Sequence, residues 1–450
     1  MTDESKKDGA KSAGKSSRAA KGARKPAAKS AKASTAAGEK TEAKPTPTSA
    51  DSRVTESETQ PAYEAAPGQS EVYQGAPQGQ AEAPPQSQGR QEGLQQEGQQ
   101  QEPVVYSASD GLAGFLAQRN LSFGFTSYQS GRLYLVGRNP NGGIMVNERM
   151  FRQAMGLHAD RQRLYLATLF QIFRMENVLG PDQRVNNTFD ACYVPRTIQV
   201  TGHLHSHDIG ICSDGAIVFV NTKFSCLAMP SVSHSFRPVW KPPFISKLAP
   251  EDRCHLNGLA MEDGQPAYVT AISRSDTIDG WRDRRDKGGV LIDVRSNRIL
   301  VDDLSMPHSP RVRNGKVWLL NSGKGELGFV DPAEETPKFH PVAFCPGFAR
   351  GLSFFGDYAF VGLSKPRYKR FEGLELDQRL AEKDTDPWCG IQVINLKSGD
   401  VAQWFRLDGP IGELYDVACI EGVQTPMSLG FHSEEIVNFI THEPLTVMLR

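Results

Sequence analysis

The chain is poor in cysteine, and none of its seven cysteines stands in a Cys-x-x-Cys pair. They are odd in number and scattered (Cys192, Cys212, Cys226, Cys254, Cys345, Cys389, Cys419), which excludes a zinc ribbon and a disulfide framework. Cys212 and Cys419 fall in expected strands and read as small buried thiols. No apolar run approaches the ~18–20 residues that span a bilayer, so no transmembrane segment is expected. The charged start, MTDESKKDGAKSAGK, has no apolar stretch behind it. That argues against a secretory leader and for a cytoplasmic protein. Net charge is lacking too: 51 basic residues face 52 acids, a formal −1. The body of the chain therefore has no electrostatic case for nucleic acid. Long amphipathic helices are also missing, which leaves an all-β body.

Residues 1–104 are nearly devoid of aromatic and branched apolar side chains. Residues 1–50 hold twelve Lys or Arg against five acids, and 51–104 hold nine acids against two Arg. Neither half has a periodic apolar face to offset the entropy of ordering, so a disordered low-complexity tail is expected. The run KSSRAAKGARKPAAKSAKAS resembles the Lys-Ala-Pro tails of linker-histone type. Two readings stand for it: a basic arm for nucleic acid or an anionic membrane surface, and a solvated tail neutralised by the acidic half behind it.

What the rest contains is one recurring hairpin phrase. CHLNGLAMEDGQPAYVTA (254–271) reads as strand, Glu-Asp-Gly turn, strand. DIGICSDGAIVFVN (208–221) and HSPRVRNGKVWLLN (308–321) repeat it, with Asp208, Asn257 and His308 each six positions before the Asp or Asn of the turn. AMGLHADRQRLYLAT, ARGLSFFGDYAFVGLS and LYDVACIEGV continue the series. Met155, Asp208, Asn257, His308, Arg350 and Asp416 serve as phase markers, spaced 53, 49, 51, 42 and 66. The 66 contains a charged excursion, 365–388, with room for one or two helical turns.

A period near 50 with about four strands per unit predicts a β-propeller. The opening segment, 122–154, and the stub after 416 are each too short for a blade. Together they make one, so six blades are expected, closed by pairing N- and C-terminal strands; seven is the alternative. The expected organisation is a tail to 104, a linker over 105–120, the propeller over 121–432 and an extension over 433–450.

The ordered phrases NTKFSCL, HLNGLAM, GWR, MPHSPR, PGFARGL, VGLSKPR and ELYDVACIEGV resemble a bacterial family of conserved hypothetical proteins. That family carries a domain of unknown function with a propeller-like core. More distantly, NGLAMEDG resembles the six-bladed propellers of the gluconolactonase and senescence-marker type.

In a propeller the first residues of each inner strand meet at one mouth, where ligands usually bind. The expected mouth set is Asp208, Asn257, His308, Arg350 and Asp416, with His207, His255 and Glu413 beside them. One reading is that these groups satisfy one another around a water-filled channel. A second is a binding module for a small molecule or protein partner, with Arg350 gripping an anionic group. In that case Arg350 is expected to pair with Asp208 or Asp416. The third follows from the gluconolactonase resemblance and is a metal-dependent hydrolase. Asp208, Asn257 and Asp416 would then hold a divalent cation, Ca²⁺ or Zn²⁺, with His308 as base or ligand. The acid that such propellers carry in their first blade has no counterpart here. GWRDRRDKGG and KPRYKR are expected to rim the same mouth, with Trp281 exposed beside Arg282 for a partner or planar ligand.

Overall fold

A computed structural model describes residues 103–444. Hairpins form where apolar alternation meets turn residues. Asp263 and Gly264 both hold positive φ (51° and 68°), as do Asn314 and Gly315 (51° and 71°). These are the two-residue turns whose twist matches that of the flanking strands.

The hairpins assemble into six sheets. Blade one is built from Leu121–Ser127, Arg132–Arg138 and Ile144–Met150, and its innermost strand, Val417–Glu421, comes from the other end of the chain. Blade two holds Leu157–Ala159, Arg163–Ala167, Gln171–Asn177 and Ala191–Val200. Blade three holds Ser206–Ile211, Ile217–Asn221, Cys226–Met229 and Arg237–Trp240. Blade four holds Leu256–Glu262, Gln265–Ala271, Gly289–Asp293 and Ile299–Leu304. Blade five holds Pro307–Arg313, Lys316–Asn321, Glu326–Val330 and Phe339–Phe344. Blade six holds Phe348–Phe355, Tyr358–Ser364, Cys389–Asn395 and Val401–Asp408. The first strands of blades two to six and Val417–Glu421 neighbour one another in a closed cycle. The ring is thus a six-bladed β-propeller.

Closure uses three clasps. Phe125 pairs with Val417 and Leu121 with Glu421 inside blade one. Pro426–Ser428 adds in parallel to the outer strand of blade two. Val105–Ala108 adds to the outer strand of blade six. The expected linker over 105–120 is therefore part of the fold. After Val105–Ala108 comes the helix Leu112–Arg119, with Leu112, Phe115 and Leu116 buried against blades one and six. The 365–388 excursion contains a second helix, Glu375–Glu382. In the C-terminal extension, Ile436 and Phe439 pack beside Cys192, Val194 and Met427. The expected disordered tail, up to residue 102, lies outside the described residues.

The apolar core is divided among the blade interfaces. Phe123, Phe125, Phe360 and Phe405 fill the space between blades one and six. Val220, Leu256, Val269 and Ile292 do so between blades three and four. Each sheet buries both faces against neighbours, which is why strands such as Lys316–Asn321 carry an unbroken apolar run, here Val317, Trp318, Leu319 and Leu320.

Candidate functional site

At the start of the inner strands of blades three, four and five a polar side chain turns back to the protein. His207 Nδ1 lies 2.8 Å from His205 O and 2.8 Å from Thr222 Oγ1, and Thr222 Oγ1 donates to Leu256 O of the next blade at 2.6 Å. His308 repeats this with Met306 O (2.8 Å) and Ser322 Oγ (3.2 Å), and Ser322 Oγ donates to Ala349 O at 2.6 Å. Asn257 takes the same place in blade four. Its Nδ2 donates to Pro307 O at 2.8 Å, and its Oδ1 accepts from Thr270 Oγ1 at 2.7 Å. Each device ties one blade to the next. Each sits where the inner strand pairs with the end of the second: Ser206 with Asn221, Leu256 with Ala271, Pro307 with Asn321.

That register shifts the expected phase. His207, not Asp208, is the equivalent of Asn257 and His308. The cause is turn length: blade three closes its hairpin with a longer turn, in which Cys212 N donates to Ala216 O at 2.8 Å. Cys212 therefore lies in a turn rather than a strand. Asp208 lies one position deeper in the channel.

There it meets Asp416 across a guanidinium. Arg311 Nη1 donates to Asp208 Oδ2 at 2.8 Å, and its Nη2 lies 3.3 Å from Asp208 Oδ1 and 3.5 Å from Asp416 Oδ1. Arg311 also donates to Leu259 O and Leu352 O. It thus touches blades three, four and six and the residue that opens the inner strand of blade one, and so lies across the axis. The carboxylates take backbone donors as well: Leu259 N and Ile209 N on Asp208, Leu157 N and Val417 N on Asp416. Burial, and then the Asp208 carboxylate, push the Asp416 carboxyl up, to about 7. The two carboxylates hold the Arg311 guanidinium above its usual range despite burial.

Sequence reading missed Arg311, for a physical reason. Strand alternation puts residues 308 and 311 on opposite faces, but a bulge intervenes and Ser309 adopts positive φ (51°). The expected metal donors Asp208, Asn257 and Asp416 are committed to Arg311, to backbone groups and to Thr270. As folded, this set does not fit a divalent cation. Among the described residues no group of three or more His, Cys, Asp or Glu is placed to hold a metal ion.

Arg350 does not pair with Asp208 or Asp416, because Arg311 has taken both. Its guanidinium lies 4.9 Å from the Phe348 ring and 5.4 Å from the Tyr415 ring. Its nearest acid is Glu413, at 3.9 Å. Glu413 is shared with Arg367 Nε (2.9 Å) and Tyr128 Oη (2.9 Å). Tyr415, absent from the expected set, has its ring 5.3 Å from His207. Burial first of all holds the Tyr415 phenol well above its usual value, so it keeps its proton. Burial, then Arg350, hold the His308 imidazole well below its own. Three buried atoms here have no hydrogen-bond partner among the described residues: His308 Nε2, Arg350 Nε and Tyr415 Oη.

Trp281 is not exposed. Its ring lies 4.1 Å from that of His255, and both Trp281 Nε1 and His255 Nδ1 bond Asp252 Oδ2, at 3.1 and 2.7 Å. Of that pair, Arg282 is the residue that reaches outward, its guanidinium 4.6 Å over the indole. Ile272, Met306, Phe348, Phe371, Leu376 and Leu380 join Trp281 in one apolar cluster. The excursion helix and the Trp281 loop thus wall one side of the mouth. Arg367 of KPRYKR rims it as expected.

A family model described as a domain of unknown function, DUF4915, matches residues 110–429. The chain belongs to the DUF4915 family. No curated protein matches it. Among solved structures it is similar to a chain of a nidogen/laminin complex (11% identity, TM-score 0.42, 67% of this chain and 99% of that one). It is also similar to virginiamycin B lyase from Staphylococcus aureus (10% identity, TM-score 0.32, 68% and 99%). A functionally unknown protein from Desulfotomaculum acetoxidans is a third (11% identity, TM-score 0.34, 64% and 80%). None of these likenesses bears on the chemistry of the DUF4915 mouth. No helix among the described residues is long and apolar enough to cross a membrane.

Proposed function

We propose that this DUF4915 propeller is a cytoplasmic binding module that takes a small anionic ligand at the mouth walled by Trp281 and Arg367. The observation that carries the reading is Arg350. Its guanidinium is planar, and among the described residues the acid within reach of it, Glu413, is 3.9 Å away and shared with two other groups. Its Nε–H is buried without a partner among the described residues. A ligand carboxylate or phosphate completes both the charge and the hydrogen bond, and charge-assisted bonds of this kind are the strong ones. Seven free thiols suit a reducing compartment.

The test is a thermal-shift screen of the full chain against small carboxylates and inorganic phosphate. Wild type should be stabilised by at least one, and R350M should lose the shift while melting near the wild-type temperature. An R350M variant that binds as tightly as wild type would place the ligand elsewhere. A metal-dependent hydrolase would need a cation where Arg311 stands. Melting of the full chain that falls on adding a chelator would favour it over the binding module.

A further inference from the structure

We propose that the ligand of this mouth is a hydroxycarboxylate, its carboxylate held by Arg350 and Tyr415 and its hydroxyl donating to His308 Nε2. The inference rests on the anion-binding reading above and deepens it.

The argument is one of complementarity. Phe348 and Arg350 link the three side chains that carry the atoms without a partner among the described residues. The His308 ring stands 5.4 Å from Phe348, Arg350 lies 4.9 Å over Phe348, and Tyr415 lies 5.4 Å on from Arg350. His308 is 5% exposed and Tyr415 8%. Arg350 Nε and Tyr415 Oη are donors. His308 Nε2 is an acceptor, because Nδ1 must carry the ring proton: Met306 O can only accept, and Ser322 Oγ spends its own hydrogen on Ala349 O. Burial above all, and then Arg350 and His255, disfavour a second proton on the ring.

A simple carboxylate, or a fully ionised phosphate or sulfate, brings lone pairs only. It satisfies the two donors and turns a lone pair toward His308 Nε2, leaving that buried acceptor unmet. A hydroxyl next to the carboxylate supplies the missing donor. Sites built to bond a ligand hydroxyl reject the analogue without it far more strongly than apolar pockets reject a missing methylene.

Calorimetric titration of the full chain with matched pairs tests this: malate against succinate, lactate against propionate, gluconate against hexanoate. The hydroxylated member of at least one pair should bind about tenfold tighter or more, the scale of one well-made hydrogen bond. H308N is the informative variant. Asn257 already fills the equivalent register position in blade four, where both ends of its amide find protein partners, so an Asn there is accommodated and deletes the Nε2 edge. In H308N the preference should collapse: the hydroxylated member loses affinity, and the unhydroxylated member, relieved of the unmet acceptor, binds no more weakly than it does to wild type. Equal binding within every pair, or phosphate binding better than every hydroxy acid, overturns the inference and leaves the anion reading standing. Proton uptake on binding that is seen in wild type as a heat that changes with buffer and is lost in H308N also overturns it, since His308 would then be meeting the anion as a cation. If neither carboxylates nor phosphate bind, both readings fall.

Discussion

At the residue scale, the Arg311 bridge decides how the channel is held. Two buried carboxylates face each other across the axis, and the guanidinium between them is the groups' shared counter-charge. Removing one partner of such a network leaves charge uncompensated, which costs about 3–5 kcal/mol. R311M should therefore be strongly destabilised in urea unfolding at pH 8. The sign of the pH dependence follows from Asp416. Its carboxyl is raised from the 3.8 of a free Asp to about 7, so between those values the folded state binds more protons than the unfolded one. Stability contributed by this group is present below the unfolded value and lost as pH rises toward 7. R311M sharpens that loss, so its deficit relative to wild type should shrink at pH 5. An equal deficit at both pH values would show that Arg311 does not hold these carboxylates. The two acids were visible as phase markers in the sequence. Their partner was not, because a single bulge at Ser309 turns Arg311 to the channel, and no periodicity announces a bulge.

At the scale of elements, the hairpins were legible because their chemistry is local. Asp-Gly and Asn-Gly turns with alternating apolar flanks specify a strand pair without reference to anything distant. The blade-to-blade ties were half legible. Closing hydroxyls such as Thr222 and Ser322 stand in the sequence, but their acceptors lie on the next blade. The 365–388 excursion shows what local reading misses. Its helical turns were expected from the sequence, but not that Leu376 and Leu380 on the helix Glu375–Glu382 share a buried cluster with Trp281. Leu376→Ala should cost about 2–5 kcal/mol, the usual range for a buried leucine. Because Leu376 and Trp281 share that cluster, it should also shift Trp281 emission to the red, measured against a W281F control. Unchanged emission would mean the helix does not support the mouth wall. The helix Leu112–Arg119 was missed for the opposite reason: eight residues give too short a pattern to separate from a linker.

At the scale of the whole molecule, the chain must close a ring, and the three clasps differ in what they bury. Val105–Ala108 is an outer edge strand with Val105 and Tyr106 exposed, so its removal takes away little apolar surface. Pro426–Ser428 is a three-residue strand that lends Met427 to one small cluster, beside which Ile436 and Phe439 of the C-terminal extension are only partly buried. Val417–Glu421 is different. It pairs along Leu121–Ser127, a strand buried throughout, and lends Val417 to one interface cluster and Ala418 and Ile420 to another. Asp416 beside it accepts the Leu157 amide and one arm of Arg311. Ending the chain at residue 415 would open the edge of blade one, expose two blade interfaces and unpair the channel charges at once. A graded outcome follows. A chain ending at 432 should melt within several degrees of wild type, whereas one ending at 415 should show no cooperative transition in circular dichroism. Restoring residues 416–432 ahead of residue 103 through a flexible linker would put the clasp back by a different route and should recover the transition. A cooperative, soluble chain ending at 415 would mean that five blades and a fragment fold without closure, and that the terminal strand is an ornament of the ring instead of its lock.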